Sequence, residues 1–238
     1  MEFLSSGDTG LTVVLGTDVA PETSARVLQL CANINAADLA GVIEVVPTYL
    51  SLLVHYDPLT TTQASLKKAI AALPAGDPAS GVKVARWSFP ICVEAEGFAP
   101  DLETVADYAK RAPRDIVRAM TSTVQTVYML GFAPGQPYLG DLPANMALPR
   151  RENPAPNVPA GAVLTATGKT VIYPNSNPTG WHIIGRTPVL LFDKTAQQPA
   201  LLSPGDLVQF HEVGLDDYHQ IEARVRTGGF AATREFLL

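Results

Sequence analysis

The chain has 238 residues, of which 47% are hydrophobic and 17% charged, and its formal net charge is −6. This composition is typical of a globular protein and excludes a disordered chain, and the length suffices for one large domain or two small ones. The acidic balance argues against a surface for nucleic acid or an anionic membrane, since either would need a basic stripe. Cys31 and Cys92 are too few for a disulfide framework.

The N-terminal segment has no basic residue ahead of its short apolar run, so it does not resemble a secretory signal. No apolar run approaches the roughly 20 residues of a membrane span. We therefore expect a soluble, cytoplasmic protein with neither a nucleic-acid nor a membrane partner.

Residues 1–97 are predicted to form an α+β domain. The predicted elements are a strand at 11–15, a helix at 21–39, strands at 42–46 and 49–56, a helix after Thr60 and a closing strand at 86–93. Strand, helix, two strands, helix, strand is the split βαβ pattern of a ferredoxin-like fold. We therefore predict a ferredoxin-like first domain with its boundary near residue 97.

Residues 98–238 are predicted to form a mainly-β domain with two leading helices. The predicted elements are helices at 101–112 and 113–122, strands at 124–130, 162–167, 170–173, 181–184, 189–192 and 207–210, and a C-terminal helix at 215–226. Many short strands separated by proline and glycine indicate a β-barrel or a sandwich.

The segment 131–188 is the most informative part of the chain, because about a dozen of the 20 prolines lie between Pro134 and Pro204. Such a density of proline rules out a long helix and indicates short strands joined by defined turns. The runs 133–136 and 203–206 have proline second and glycine third, which is the pattern of a type II turn. Loops built this way often hold a functional surface, and we look for the site here.

The run Gly168-Lys169-Thr170 does not predict a nucleotide site. A phosphate-binding loop needs an earlier glycine where Val163 stands, and a helix must follow the threonine. The residues after Thr170 have the pattern of a strand, so a hairpin turn with an exposed lysine is the better interpretation.

Few side chains of the second domain suggest chemistry from their own pattern. The four histidines show no metal-ligand spacing, and no serine-nucleophile motif is present, so catalytic residues stay unassigned. His182 follows Trp181 inside the proline-rich segment, and we expect a packing or hydrogen-bonding role for it. Arg150, Arg151 and Arg186 sit in rigid loops, where guanidinium groups either recognise a carboxylate or phosphate or clamp the loops internally.

The motifs of this segment resemble those of the allophanate hydrolase subunit 1 family, which includes the B-type subunit of 5-oxoprolinase and the sporulation-kinase inhibitor KipI. The resemblance is carried by GFAPGQPYLGDL at 131–142, PRRENPAPNVPAGAV at 149–163, TVIYPNSNPTGWHIIGRTP at 170–188 and GDLVQF at 205–210. It implies a ferredoxin-like domain followed by a cyclophilin-like β-barrel. This chain departs from the family pattern at several positions, since Gln136 replaces an aromatic residue, Ala155 an arginine, Lys169 a glutamine and Thr179 a glycine.

The resemblance also implies one subunit of a two-chain or three-chain enzyme. The partners would resemble allophanate hydrolase subunit 2 and a LamB/YcsF-type chain, and the assembly would use ATP to open 5-oxo-L-proline to L-glutamate. ATP would be bound by this chain or by its partner, and no metal site is evident. The alternatives are an ATP-independent subunit acting on allophanate or a related urea derivative, and a KipI-like inhibitor that binds a sensor histidine kinase.

The candidate site residues follow from the arginines and the family motifs together. Those expected to bind the lactam or amide substrate, or a partner, are Tyr138, Arg150, Arg151, Tyr173, Trp181, His182 and Arg186. Those expected to shape the motif loops are Phe132, Pro134, Gly135, Pro159, Gly161 and Gly180. The leading hypothesis is that the three arginines line one site walled by Tyr138 and Trp181, where arginines and loop N–H groups stabilise a developing anion.

Overall fold

The computed structural model of the protein describes residues 1–74, 84–229 and 232–237. The chain divides into two units, Met1–Lys83 and Val84–Leu238. The strands are β1 Glu2–Ser5, β2 Gly10–Val14, β3 Val42–Pro47, β4 Ser51–Tyr56, β5 Val84–Ile91, β6 Val124–Leu130, β7 Pro137–Leu139, β8 Ala155–Val158, β9 Ala162–Ala166, β10 Lys169–Ile172, β11 Asn177–Thr179, β12 His182–Arg186, β13 Leu207–Glu212 and β14 Thr233–Leu237. The helices are α1 Pro21–Ala37, α2 Gln63–Ala71, α3 Leu102–Ala109, α4 Pro113–Ser122 and α5 Leu215–Arg226, with a short 3-10 helix at Ala144–Met146.

The first unit is a four-stranded antiparallel sheet in the order β1-β2-β4-β3, with α1 and α2 packed against it. Alternate residues of β2 and β4 are buried, as expected for strands with one covered face. They share one hydrophobic core with Val27 and Ile34 of α1 and Leu66 and Ile70 of α2. The first split βαβ unit of the prediction is present, since β2 and β3 flank β4 and are connected through α1.

The predicted closing strand of this unit is wrong, and so is the boundary near residue 97. The strand β5 pairs in parallel with β13 and antiparallel with β14, both in the second unit. The edge position beside β2 is instead taken by β1, which the sequence pattern did not predict. The boundary therefore lies between Lys83 and Val84.

The second unit is mostly β. Its main sheet has eight strands in the order β12-β9-β10-β7-β6-β13-β5-β14, and β8 and β11 form a separate pair. An isolated bridge between Cys92 and Arg186 joins the chain just after β5 to the end of β12, so the sheet curls back on itself. The predicted helices match α3, α4 and α5 closely, but the predicted strand at 189–192 is absent and the short strands β7, β8 and β11 were not predicted. No helix among the described residues is long and apolar enough to cross a bilayer.

Both predicted type II turns are confirmed. Gly135 has φ +75° and the Gln136 N–H donates to the Ala133 carbonyl, while Gly205 has φ +96° and the Asp206 N–H donates to the Ser203 carbonyl. Positive φ at the third position is what makes glycine favourable there. The second turn also positions the buried Asp206 carboxylate, which accepts hydrogen bonds from Ser203 N, Ala85 N and Trp87 Nε1 at 2.9–3.0 Å.

Candidate functional site

The proline-rich segment forms a small pocket of about 160 Å³ in the second unit. Its lining residues are Phe132, Gln136, Tyr138, Arg150, Val171, Tyr173, Pro178, Thr179, Gly180 and Trp181. Six of these are predicted site or loop residues, which the chain brings together from the turn after β6, β7, the loop before β8, the end of β10 and the start of β12. At a liquid-like share of about 30 Å³ per molecule, the volume equals roughly five waters, which suits a small metabolite.

Aromatic rings form the walls of the pocket. Phe132 stacks on Tyr173 with ring centroids 6.5 Å apart and planes 18° apart. Tyr138 meets Trp181 edge to face at 6.2 Å and 73°. The Tyr173 hydroxyl donates to the Pro178 carbonyl at 3.1 Å, which fixes that ring. These contacts give the pocket a shape that is held before any ligand arrives.

Phe132 is unusual because a large aromatic residue is both exposed and in a left-handed backbone conformation. Its φ is +71° and 70% of its surface is accessible. A non-glycine residue in this region is strained by about 1–3 kcal/mol. Strain of this kind concentrates at binding sites, and here the strained residue is one whose exposed ring stacks on Tyr173.

Gln136 is a buried polar residue in the wall of the pocket. Only 2% of its surface is accessible, and its side-chain Oε1 has no hydrogen-bond partner among the described residues. Thr179, the neighbouring polar residue of the wall, does have one, since its Oγ1 accepts from Trp181 N at 3.0 Å. The wall of the pocket therefore combines aromatic rings with a buried polar residue.

Arg150 is the arginine that faces this pocket. Its Cζ lies 5.7 Å from the centroid of the Trp181 ring, a cation–π contact. No acidic side chain of the described residues lies within ion-pair distance of it. Its charge is also felt by Tyr138: desolvation raises the pKa of that phenol, the nearby Tyr173 raises it further, and Arg150 lowers it.

Arg151 and His182 face a different cavity of about 280 Å³, which is also lined by Asp101, Glu152 and Asn153 among others. Arg151 Nη1 lies 2.6 Å from Asp101 Oδ2, and the same carboxylate accepts from the Ile183 N–H at 2.8 Å. Because a carbonyl only accepts, His182 Nε2 donates to the Pro149 oxygen at 3.0 Å, and its buried Nδ1 has no partner in the part of the chain that the structure describes. Arg151 is thus committed to an internal ion pair.

Arg186 lies in neither cavity. Its Cζ stacks on Phe98 at 5.2 Å and its Nε donates to the Ala160 carbonyl at 3.1 Å. The structure therefore does not bring the three arginines together: Arg150 lines the aromatic pocket, whereas Arg151 and Arg186 hold loops in place. Asp101, the partner of Arg151, was interpreted from the sequence only as a first-turn helix carboxylate, and a partner 50 residues away leaves no local signal.

The motif loops divide into those that shape the chain and those that line the pocket. A Cβ at Gly135 would meet the Leu191 carbonyl at 2.8 Å, and one at Gly161 would meet the Thr187 carbonyl at 2.1 Å, so only glycine fits at both. Gly180 has no such contact, since the nearest atoms to a Cβ there lie at 3.9 Å, and it leaves the pocket open. Pro134 and Pro159 begin turns and do not line the pocket.

The positions that depart from the family pattern are not all in the pocket. Gln136 and Thr179 line it, and Ala155 pairs with Thr179 across β8 and β11. Lys169 begins β10, where its ammonium lies 5.2 Å from the Tyr128 ring. As expected, Gly168 and Thr167 form a turn between two strands, but Lys169 is half-buried and not exposed as predicted.

A larger cavity of about 660 Å³ lies elsewhere in the second unit, near Trp87, Val189, Arg226 and Arg234. It contains none of the predicted site residues. Residues 230 and 231, which connect α5 to β14, are outside the described part of the chain, so this cavity carries no candidate site. Within residues 1–74, 84–229 and 232–237, no cluster of three metal-ligating side chains occurs.

Comparisons with known proteins agree with the motif analysis. The family model described as carboxyltransferase domain, subdomain C and D, matches residues 1–202. A protein from Bacillus subtilis (strain 168), named as the B-type subunit of 5-oxoprolinase, is 34% identical over 229 residues, which is 90% of this chain and 93% of that protein. A protein of the same name from Haemophilus influenzae is 46% identical over 116 residues, 49% of this chain and 54% of that protein.

Among solved structures, the crystal structure of TTHA0988 is similar with a TM-score of 0.75 and 32% identity. The similarity covers 86% of this chain and 40% of that chain, so this protein spans well under half of that relative. It supports the mixed-sheet, mostly-β architecture described above.

Proposed function

The chain belongs to the family of carboxyltransferase domains, subdomains C and D, and on that premise we propose that it is a subunit of a 5-oxoprolinase. The observation that carries the proposal is the similarity to the B-type subunit of a 5-oxoprolinase along 90% of this chain. In the proposed reaction, water adds across the C–N bond of the 5-oxo-L-proline ring and gives L-glutamate, coupled to hydrolysis of ATP to ADP and phosphate.

The aromatic pocket is the proposed lactam site. Its volume of about 160 Å³ matches a small ring compound, and its walls are the apolar faces of Phe132, Tyr138, Tyr173 and Trp181. Arg150 supplies the cation at the rim, and a guanidinium suits bidentate binding of the substrate carboxylate. Arg151 and Arg186 are left out of this role because each already has an internal partner.

The residues of this pocket do not fit ATP. A nucleoside triphosphate exceeds the enclosed volume, and Gly168-Lys169-Thr170 lies in a turn that leads into a strand and so is not a phosphate-binding loop. In our proposal a chain resembling allophanate hydrolase subunit 2 binds the nucleotide, with a LamB/YcsF-type chain as a further partner. The present chain holds and orients the lactam.

We also propose a fold type for each unit and a cellular location for the protein. The split βαβ arrangement supports a ferredoxin-like first unit, and the sheet that curls back at the Cys92–Arg186 bridge supports a cyclophilin-like second unit. Two free thiols, Cys31 and Cys92, support a cytoplasmic protein.

The test is turnover by the assembled complex. This chain is co-purified with subunit-2-type and LamB-type chains of the same organism, and ADP release is measured with and without 5-oxo-L-proline. We expect ADP release that depends on 5-oxoproline and on the presence of all chains. Hydrolysis of allophanate without ATP would overturn the proposal in favour of the allophanate hydrolase alternative, and co-purification with a sensor kinase alone would favour the inhibitor.

A further inference from the structure

Arg150, to which we assign the substrate carboxylate, lies in a loop. The loop connects the 3-10 helix Ala144–Met146 to β8, and the residue itself is exposed. A long exposed side chain samples many rotamers, and this freedom is lost when it binds a ligand. Contacts from elsewhere must therefore orient the guanidinium that lies over Trp181.

The two peptide planes on either side of the Arg150 Cα are each fixed by a hydrogen bond. The plane before it carries the Pro149 carbonyl, which accepts from His182 Nε2 at 3.0 Å. The plane after it carries the Arg151 N–H, which donates to the Gly180 carbonyl at 2.7 Å. Because peptide planes are rigid, two fixed planes define the direction in which the Arg150 side chain leaves the backbone.

The partners in these two bonds are the residues directly before and after Trp181. His182 begins β12 and pairs with Thr165 of β9, so its ring projects from the main sheet. The Arg150 Cζ lies 5.7 Å from the centroid of the Trp181 ring. The segment that carries the indole therefore also holds the backbone of the arginine that lies over it.

Only one of the two bonds depends on the identity of a side chain. Gly180 accepts with its main-chain carbonyl, whereas His182 must supply an N–H from its ring. The imidazole is buried, and its Nδ1 has no hydrogen-bond partner among the described residues. An apolar side chain would suit the packing better, since it would bury no unpaired nitrogen. The bond to Pro149 is thus the interaction that favours histidine at this position.

Resting on the proposed function, we propose that His182 is a positioning residue, which orients Arg150 for the carboxylate of the lactam without touching the substrate. His182 lines the cavity that contains Arg151 and Asp101 and is not among the residues of the aromatic pocket. A guanidinium that is oriented before binding loses less rotamer freedom when it pairs with a carboxylate, which raises the affinity.

The first test needs no ligand. The ring current of Trp181 shifts the side-chain protons of Arg150 upfield, and NMR of the full chain measures this shift. We expect His182→Met to reduce the shift and His182→Gln to retain it, because the glutamine amide supplies an N–H near the position of Nε2. His211→Met, at an exposed histidine that is hydrogen-bonded to Ser88, is the matched control and should leave the shift unchanged. His182→Phe replaces His182→Met should the latter fail to fold.

The second test is calorimetric binding of 5-oxo-L-proline and of 2-pyrrolidone, the same lactam without a carboxylate, to the full chain. His182→Met should weaken binding of 5-oxo-L-proline about 3- to 10-fold and leave binding of 2-pyrrolidone unchanged. In the Arg150→Ala background the same substitution should have no further effect, because the group that it positions is absent. A purely structural role would instead weaken binding of both lactams and would persist without Arg150.

The outcomes separate this inference from the proposed function. An unchanged Arg150 shift in His182→Met, or an equal loss of affinity for both lactams, overturns the positioning role, and turnover by the assembled complex then decides the proposed function independently. If neither lactam binds but N-carbamoylglycine does, with the same dependence on His182 and Arg150, the positioning role stands and the 5-oxoprolinase function fails. If the wild-type chain binds none of these carboxylates, the inference is wrong.

Discussion

The adjacent residues Arg150 and Arg151 face two different cavities, and their surroundings differ. Arg150 lies over Trp181 at the rim of the aromatic pocket without an acidic partner among the described residues. Arg151 is paired with Asp101, whose carboxylate also caps the Ile183 N–H. Because the charge of Arg151 is already neutralised, Arg150 is the member of the pair to which we assign the proposed substrate contact.

The same separation into two cavities is seen at the start of β12, where consecutive side chains face different cavities. Trp181 faces the aromatic pocket and His182 faces the cavity that contains Arg151 and Asp101, because successive side chains alternate near β12. The Arg151 N–H donates to the Gly180 carbonyl at 2.7 Å, which fixes the two segments side by side. The contacts of Arg151 with Asp101 and Gly180 therefore hold the segments that form the aromatic pocket.

The largest expected effect is on stability, from Arg151→Ala. Removing the guanidinium leaves the Asp101 carboxylate, whose side chain is 12% exposed, without its partner. We expect a loss of about 2–3 kcal/mol in the free energy of unfolding, somewhat below that of a fully buried pair. Urea denaturation measures it, with Arg118→Ala as the control for an exposed arginine. A loss below about 0.5 kcal/mol would mean that the ion pair does not hold the scaffold.

Arg150→Ala should lower activity and leave stability nearly unchanged. Losing the proposed carboxylate contact should lower kcat/KM of the assembled complex for 5-oxoproline by about 10- to 100-fold, since hydrogen bonds to charged groups are the stronger ones. The urea midpoint should change little, because the guanidinium is exposed. Arg118→Ala should leave both quantities unchanged. Full activity in Arg150→Ala would remove this residue from the site.

Gln125 on β6 is fully buried, lines neither cavity, and has a side-chain amide without a hydrogen-bond partner among the described residues. Gln125→Met tests whether this amide destabilises the fold. Replacing it with an apolar side chain of similar size should raise the free energy of unfolding by about 1 kcal/mol. Thermal denaturation of the full chain measures this, and a lower melting temperature would show that the amide has a partner that matters.

The smallest expected effect is on the titration of Tyr138. Arg150 lowers the pKa of this phenol, which desolvation and Tyr173 hold above its ordinary value. Arg150→Ala should therefore raise the pKa of Tyr138 further, whereas Arg151→Ala should leave it in place. Alkaline titration of the tyrosine NMR signals, assigned with Tyr138→Phe, reports both. In the wild type this raised pKa opposes folding only as the pH rises through about 10, where the unfolded chain loses the phenol proton before the folded one does.

The sequence alone predicted which aromatic residues lie together more accurately than it predicted which arginines do. Phe132, Tyr138, Tyr173 and Trp181 were all predicted as site or loop residues, and all line the pocket. The arginines were predicted as one group, and the structure separates them. Aromatic residues in a rigid loop segment tend to pack together, whereas the partner of a charged group can come from any part of the chain.

The sequence by itself determined the two type II turns, because a turn depends on neighbouring residues alone. The turns at Gly135 and Gly205 need positive φ, and the preceding proline fixes the residue before each of them. Tertiary structure decided what depends on distant residues: β5 joined the second unit because β13 and β14 offered pairing on both of its edges. In the same way, Asp101 pairs with Arg151 across 50 residues of sequence, which separates Arg151 from Arg150 at the pocket.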